Sequence, residues 1–427
     1  MLLVFVEQIS ERVNYTFDFV FKERKIEYVI TNDFVQFERF EGTKLNYSER
    51  HFENVVKVSP SNLLFDESID NYGISKSTFY NEECLSFNDT VDPFASIFYI
   101  LSRMEEYTTI STDKFGRFEG KNSVLYRFEW NEKVICDRWS VDIINFLNSN
   151  NCNICEIEKP TIKIVPTFDI DNAYAYKHKG ILRTAMATLK DFAFGRSKRL
   201  LERQKVQTGF MKDPYDTYDR ICALAESGID VKIFWLLGDF AKYDRNISHR
   251  RQKQKKLIQR MSEVATVGIH PSFKSNSYDF YLHNEIERLE DIIKKRVYSS
   301  RQHFLSLKLP NTYKTLIEQE IRDDYTMGFA DIVGFRIGTA RPVNWFDLSK
   351  NKITSLTLHP FAFMDGTLNE YLKLTPSEAK DKISNLFNEV SQFGGEFTFI
   401  WHNETIGNYG IWKDWSEVFE LSVSLKS

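Results

Sequence analysis

From residue 160 onward, short apolar runs alternate with amphipathic stretches, and this constrains the fold more than any other feature of the chain. The apolar runs are "TIKIVPTFDI", "VKIFWLLGD", "TVGIH", "RQHFLSL", "IVGFRIG", "SLTLHPF" and "EFTFIWH". Helical periodicity fills most of the gaps, over 214–227, 249–265, 278–295, 311–320 and 376–393. A repeated strand-then-helix pattern covers both faces of a parallel sheet with its own crossovers. About seven such units predict an α/β fold, closed or distorted into a barrel rather than left as an open sheet.

Residues 1–157 read differently. "DPFASIFYILSRMEEY" (92–107) is the clearest helix there, with short mixed strands such as "KIEYVIT" and "ENVVKV" around it. "NSNNCN" is a polar break near the end of this segment. A chain of 427 residues exceeds one ordinary core. The expected organisation is a smaller α+β domain of unknown role over 1–157 and a barrel over 158–427.

Chemistry in such barrels gathers where the strands end. Here the strands end in Asp169 and Asp171, then His270, His303, Arg336, His359 and His402. A single aspartate after a strand is commonly a turn residue. Asp169 and Asp171, two apart, share one face, and paired like charges cost energy unless a cation or proton uses them. One carboxylate can hold a cation while the other stays free as a base. His270, after a short strand and before a Pro turn, can give the nitrogen ligand of a zinc-type cation held with Asp171. Arg336, strand-borne between glycines, reads as buried and in need of a carboxylate, for which Asp169 is the expected partner. His402 emerges from "FTFIW" and suits a general acid.

Composition removes some function classes. A net charge of −4 gives no bulk attraction to nucleic acid or an anionic surface. The basic runs "RNISHRRQKQKK" and "GRSKRLLERQK" read as solvated helix faces, with a patch for an anionic glycan or nucleic acid as the alternative. No Walker A, GxGxxG, GxSxG or HExxH pattern occurs. The first apolar run, "MLLVFV", is short, and no stretch of ~18 apolar residues follows, so no membrane span is expected and a cytoplasmic protein is. The five cysteines fit a reducing compartment, and Cys152 with Cys155 lacks the partners of a zinc site. The 36 Phe and 20 Tyr suit a packed core and equally a cleft with sugar-stacking platforms.

"TFDID", "VGIHPS", "GFRIGTARP" and "FIWHNE", in this order, resemble the motifs of the NodB-like polysaccharide deacetylases, carbohydrate esterase family 4. With "DPYDTY", "SRQHFL" and "MDGTL" between them, the pattern resembles a Bacteroidetes-type bacterial subgroup carrying an extra N-terminal domain. The resemblance covers roughly the C-terminal 60% of the chain motif by motif. It implies a distorted (β/α)7 barrel that hydrolyses N-acetyl groups on a sugar or glycan precursor with a divalent metal, zinc by expectation. By position, Asp169 would be the general base, Asp171 and His270 metal ligands, Arg336 the residue that orients and tunes Asp169, and His402 the general acid. The substrate partner would be an N-acetylated sugar or oligosaccharide, lipid-linked or nucleotide-linked in a cytoplasmic protein, and no nucleic acid.

One position departs from the family pattern. A second histidine is expected four residues after the first, and here that residue is Lys274. His303 or His359 can supply the missing ligand, the metal can bind through Asp171, His270 and waters, or Lys274 can stand in with no metal. Lys274 also favours a rival reading, a glycan-binding or assembly protein without catalysis. A second rival is a hydrolase of another C–N bond, such as a formyl group or a cyclic amide.

Overall fold

"IKIVPTFDI" forms a nine-residue strand whose last six residues are all buried, as a strand covered on both faces requires. The computed structural model in which it lies describes residues 1–108, 111–150, 152, 154 and 160–426. The expected boundary at 157/158 and Cys155 lie outside the described residues.

Among the described residues, seven strands precede it. β1 (Leu2–Val6), β2 (Tyr28–Thr31), β3 (Thr43–Tyr47) and β4 (Val56–Lys57) form a parallel sheet in the order β2-β1-β3-β4. β5 (Ile74–Phe79), β6 (Glu82–Phe87) and β7 (Thr90–Val91) form an antiparallel meander. The helix Pro93–Leu101 starts where the sequence says it should: proline takes the first turn and Asp92 accepts from the Ala95 amide. Every residue of that helix is buried.

The large sheet is built from β8 (Ile162–Ile170), β9 (Lys232–Trp235), β10 (Thr266–Ile269), β11 (Ser299–Ser300), β12 (Asp323–Asp324), β13 (Val343–Asp347), β14 (Lys352–Leu358), β15 (Phe363–Met364) and β16 (Gly395–His402). Its order is β13-β14-β12-β11-β10-β9-β8-β16-β15, parallel throughout except between β13 and β14. The five expected helices recur as Tyr218–Glu226, Gln252–Val264, Asp279–Ile293, Asn311–Glu318 and Pro376–Phe393. The last is fixed by a capping box between Thr375 and Glu378 and ends at Gly394, whose φ is 79°. Two helices not expected from the pattern, Ile181–Ala193 and Ser197–Gln207, form a hairpin between β8 and the helix that crosses to β9.

The expected barrel is not closed: among the described residues the order runs from β13 to β15 without joining them. The reason lies in "IVGFRIG". It is not a strand, and the chain is irregular from 325 to 342. Gly334 and Gly338 take φ of 115° and 63°, which bend the backbone away from extended geometry. Two backbone bonds of this segment reach the N-terminal region: the Phe335 amide donates to the Asn131 carbonyl (2.7 Å), and the Cys136 amide donates to the Gly338 carbonyl (2.8 Å). Others reach the β15 and β16 side, where the Gly334 amide donates to the Ala362 carbonyl (2.7 Å) and the Glu396 amide to the Ala340 carbonyl (2.8 Å). Contact is so close that a Cβ at Gly334 would sit 1.9 Å from the Asn131 oxygen.

This placement also corrects the expectation for Arg336. Its guanidinium grips Glu106 with two bonds of 2.6 and 2.9 Å and donates to the Gly328 carbonyl at 2.9 Å. Arg103 joins the same carboxylate at 2.7 Å and donates to the Arg336 carbonyl at 2.6 Å. Arg336 is buried and does need a carboxylate, but the carboxylate is Glu106, brought in by the N-terminal region. Burial acts to raise the Glu106 carboxyl, and Arg336 and Arg103 together hold it below its ordinary value. Tyr15 and Phe98 pack on Phe346 at 5.3 and 4.9 Å, so the N-terminal region shares a core with the large sheet.

Removing one partner of a buried pair leaves the other charge uncompensated. Arg336→Met is therefore expected to lower the unfolding free energy by about 3–5 kcal/mol in a urea titration, and Glu106→Gln to act in the same direction.

Candidate metal and acid–base site

Parallel strands place their carboxyl ends at one edge of the sheet, and that edge holds the site. Asp169 and Asp171 come from the end of β8, His270 follows β10, and His402 is the last residue of β16, paired in register with Asp169. His303 lies in the loop after β11, in a turn where Phe304 and Leu305 have φ of 59° and 54°.

Asp171, His270 and His303 offer one donor atom each within 4.8 Å of one another. The His270 Nε2 lies 3.3 Å from Asp171 Oδ1, and the His303 Nε2 lies 3.5 Å from Asp171 Oδ2. The other ring nitrogens fix the tautomers. His270 Nδ1 is 2.6 Å from the Arg301 carbonyl, which can only accept, so Nδ1 carries the proton. His303 Nδ1 is 3.0 Å from the Asp244 carboxylate, the usual outer support of a ligand histidine. With Nδ1 engaged in each ring, both Nε2 atoms face the Asp171 carboxylate. Asp171 Oδ1 is buried with no hydrogen-bond donor.

Such a donor set calls for a positive charge among its members. With protons alone, His303 is pushed up to about 9: burial disfavours its charge, but Asp171 and Asp244 outweigh burial. A divalent cation satisfies the carboxylate and both imidazoles together. The residues therefore fit a divalent cation.

The other candidate ligands are elsewhere. His359 bonds Asp323 (3.0 Å) and Glu396 (2.9 Å) and stacks on Tyr325. Lys274 is exposed, with its ammonium 4.3 Å from the centre of the Tyr281 ring. Its backbone amide donates to Asp244, as does that of Phe273, so the turn steadies the carboxylate behind His303. The histidine expected at 274 is thus replaced by one from a neighbouring strand end.

Asp169 is buried beside this trio. Its Oδ1 accepts from Arg301 Nη1 at 3.0 Å, and its Oδ2 lies 3.9 Å from His270 Nε2. Arg301 therefore holds the position expected of Arg336. Its guanidinium is fully buried, donates also to Thr167 and the Tyr325 carbonyl, and lies 4.7 Å over the Phe234 ring. The local sequence carries a weak signal for it: Arg301 opens "RQHFLSL", where His303 is the residue with evident metal chemistry.

His402 Nδ1 faces both oxygens of Asp365, at 2.9 and 3.1 Å. The carboxylate is held in turn by the His402 amide and the Thr405 hydroxyl. Burial disfavours the imidazolium, yet Asp365 raises His402 well above its usual value. Asp365, in "FMDGTL", was not singled out from sequence.

Asp169, Asp171, His270, His303 and His402 line one cavity of about 190 Å³. Trp412 and Tyr371 supply aromatic walls. Arg117 reaches the rim from the N-terminal region, donating to the Tyr371 hydroxyl (2.9 Å) and the Phe304 carbonyl (3.0 Å). Glu404, also lining the cavity, is pushed up to about 7 by burial and by Asp171.

Residues 2–151 match the model of a family of unknown function, DUF7033. No curated protein matches the chain. Similar solved structures include a Mycobacterium smegmatis protein described as a polysaccharide deacetylase, at 15% identity, 64% of this chain, 87% of that chain and a TM-score of 0.40. The Puue allantoinase is similar at 12% identity, 62% of this chain, 85% of that chain and a TM-score of 0.39. The polysaccharide deacetylase Bc1974 from Bacillus cereus is similar at 11% identity, 57% of this chain, 79% of that chain and a TM-score of 0.28. The chemistry of the site rests on this chain's own residues.

Elemental analysis of protein purified without chelator is expected to find about one equivalent of divalent metal. His303→Ala is expected to lose most of it, by 10- to 100-fold in affinity or more, whereas Lys274→Ala retains it.

Proposed function

We propose that this protein hydrolyses the amide of an N-acylated sugar, releasing a free amine and the carboxylate of the acyl group. The observation that carries the reading is the convergence, in one cavity, of a three-donor metal set, a carboxylate held by an arginine and a histidine held by a carboxylate. The sequence motifs support an acetyl group and a sugar, and Trp412 and Tyr371 are suitable stacking surfaces for a sugar ring.

Asp171, His270 and His303 would hold the cation. When bound, it supplies Lewis-acid polarisation of the acyl oxygen and makes water a better nucleophile. Arg301 fixes one oxygen of Asp169 and leaves Oδ2 turned toward the trio, where it accepts the proton of the attacking water. Asp365 holds His402 by Nδ1, so Nε2 is the atom that gives a proton to the departing nitrogen. The C–N bond breaks, the water oxygen stays on the acyl carbon and the amine leaves protonated. Burial of the site keeps these charges in a medium of low dielectric, where their effect is greatest.

The direct test is acyl release from a panel of N-acetyl sugars, N-formyl sugars and cyclic amides by zinc- or cobalt-loaded protein. Acetate from the N-acetyl members is expected, and release from none of the panel overturns the reading. Asp169→Asn is expected to lower kcat by about 10²- to 10⁴-fold with the circular dichroism of the folded chain retained, and to lower the thermal midpoint as well, because the buried Arg301 loses its carboxylate. A general acid works only while protonated, so activity falls as pH passes its pKa. Asp365→Asn removes the charge that raises His402, and the alkaline limb of the kcat/KM profile is expected to move to lower pH.

A further inference from the structure

The helical hairpin between β8 and β9 is amphipathic the wrong way round. In Ile181–Ala193 the large apolar residues Ile181, Leu182, Met186, Leu189 and Phe192 fall on one arc and are 63–92% exposed. The residue this helix buries is Asp191, which pairs with Arg203 of the second helix. Phe194 and Phe210, beyond the helix ends, are also exposed. An apolar stripe of this kind on water is a contact surface awaiting a partner.

The charge around it says which partner. Residues 177–207 carry nine Lys and Arg against two acids, and residues 242–256 carry seven against one, in a chain whose net charge is −4. These two segments meet in space. Lys179, Arg183 and Arg251 line a cavity of about 490 Å³ together with Leu182, Met186 and Phe240, and the acid of its lining, Asp239, is paired with Arg288. Arg183 lies 4.7 Å over the exposed Phe240 ring and donates to the Arg245 and Asn246 carbonyls. Among the described residues, Lys179, Arg183, Arg245, Arg250 and Arg251 make no ion pair, whereas the nearby Arg260 and Arg288 are paired with Asp219 and Asp239. Burial, and after it Arg183, lower Lys179 to about 8, with Asp213 and Glu404 acting in the opposite direction.

We propose that the hairpin Ile181–Gln207 seats this protein on an anionic phospholipid surface, with its apolar stripe in the headgroup–acyl boundary and a lipid phosphate in the basic cavity. A polar polyanion would leave the stripe in water; a bilayer with acidic headgroups takes both features at once. Among the described residues no helix is long and apolar enough to cross a membrane, so the mode is peripheral. The surface is joined to the cavity of the candidate site: Asp171 precedes the hairpin by ten residues, and the loop that Arg183 grips also carries Asp244, the support of His303. The inference stands independently of N-acyl hydrolysis.

The test is co-sedimentation of the full chain with vesicles of phosphatidylcholine alone or with about one-third phosphatidylglycerol. Partitioning at least tenfold stronger to the anionic vesicles, weakened by salt, is expected. The double variants Met186→Asp with Phe192→Asp, and Arg250→Glu with Arg251→Glu, are each expected to lower it at least tenfold with unchanged circular dichroism and thermal midpoint. Equal partitioning to both vesicles, or none, overturns the proposal, as does wild-type binding by both folded double variants. A dimer dispersed by the Met186→Asp, Phe192→Asp pair, with no vesicle binding, assigns the stripe to a second copy instead.

Discussion

Arg301 is the residue on which the candidate site depends. Its guanidinium fixes Asp169, and its own carbonyl fixes the tautomer of His270. One buried residue thus sets the free face of the carboxylate and the lone pair of the imidazole beside it. A buried guanidinium is costly without a carboxylate and further acceptors. Here Asp169, Thr167 and the Tyr325 carbonyl accept from Nη1 and Nε and the Phe234 face lies over the group, while Nη2 is left without an acceptor among the described residues. The strand ends bring these groups within reach, and Arg301 decides their orientation.

A second buried arginine sets the architecture. Arg336, locked on Glu106 and roofed by Arg103, ties the segment 325–342 to the N-terminal region. That segment carries the sequence that reads as a barrel strand, and two of its backbone hydrogen bonds are made with Asn131 and Cys136 of the N-terminal region. The sheet stays open where a barrel would close. The N-terminal region is consequently part of the same packed body, and through Arg117 it forms part of the rim of the cavity.

Two kinds of charge placement therefore coexist. Around the cavity nearly every charge is answered by another within hydrogen-bonding distance, as low dielectric demands. On the hairpin and the loop after β9, cations outnumber acids beside an exposed apolar stripe. Solvent tolerates the first feature of that surface but not the second, and a surface that is both acidic and oily accommodates both.

The sequence by itself determined the parallel α/β core, because apolar runs of strand length separated by helical periodicity have few other ways to bury both faces. It also determined Asp169, Asp171, His270 and His402 as strand-end groups, since alternation and strand termini are local properties. The tertiary structure decided what each of them faces. Lys274 left a gap in the local motif, and His303, 33 residues beyond His270, fills it because β10 and β11 are neighbours in the sheet. From sequence, Arg336 was the expected partner of Asp169, and Arg301 was the first residue of an expected strand. Which of them reaches Asp169 was settled by the two left-handed glycines that turn Arg336 toward Glu106, a choice of backbone path that no short stretch of residues encodes alone.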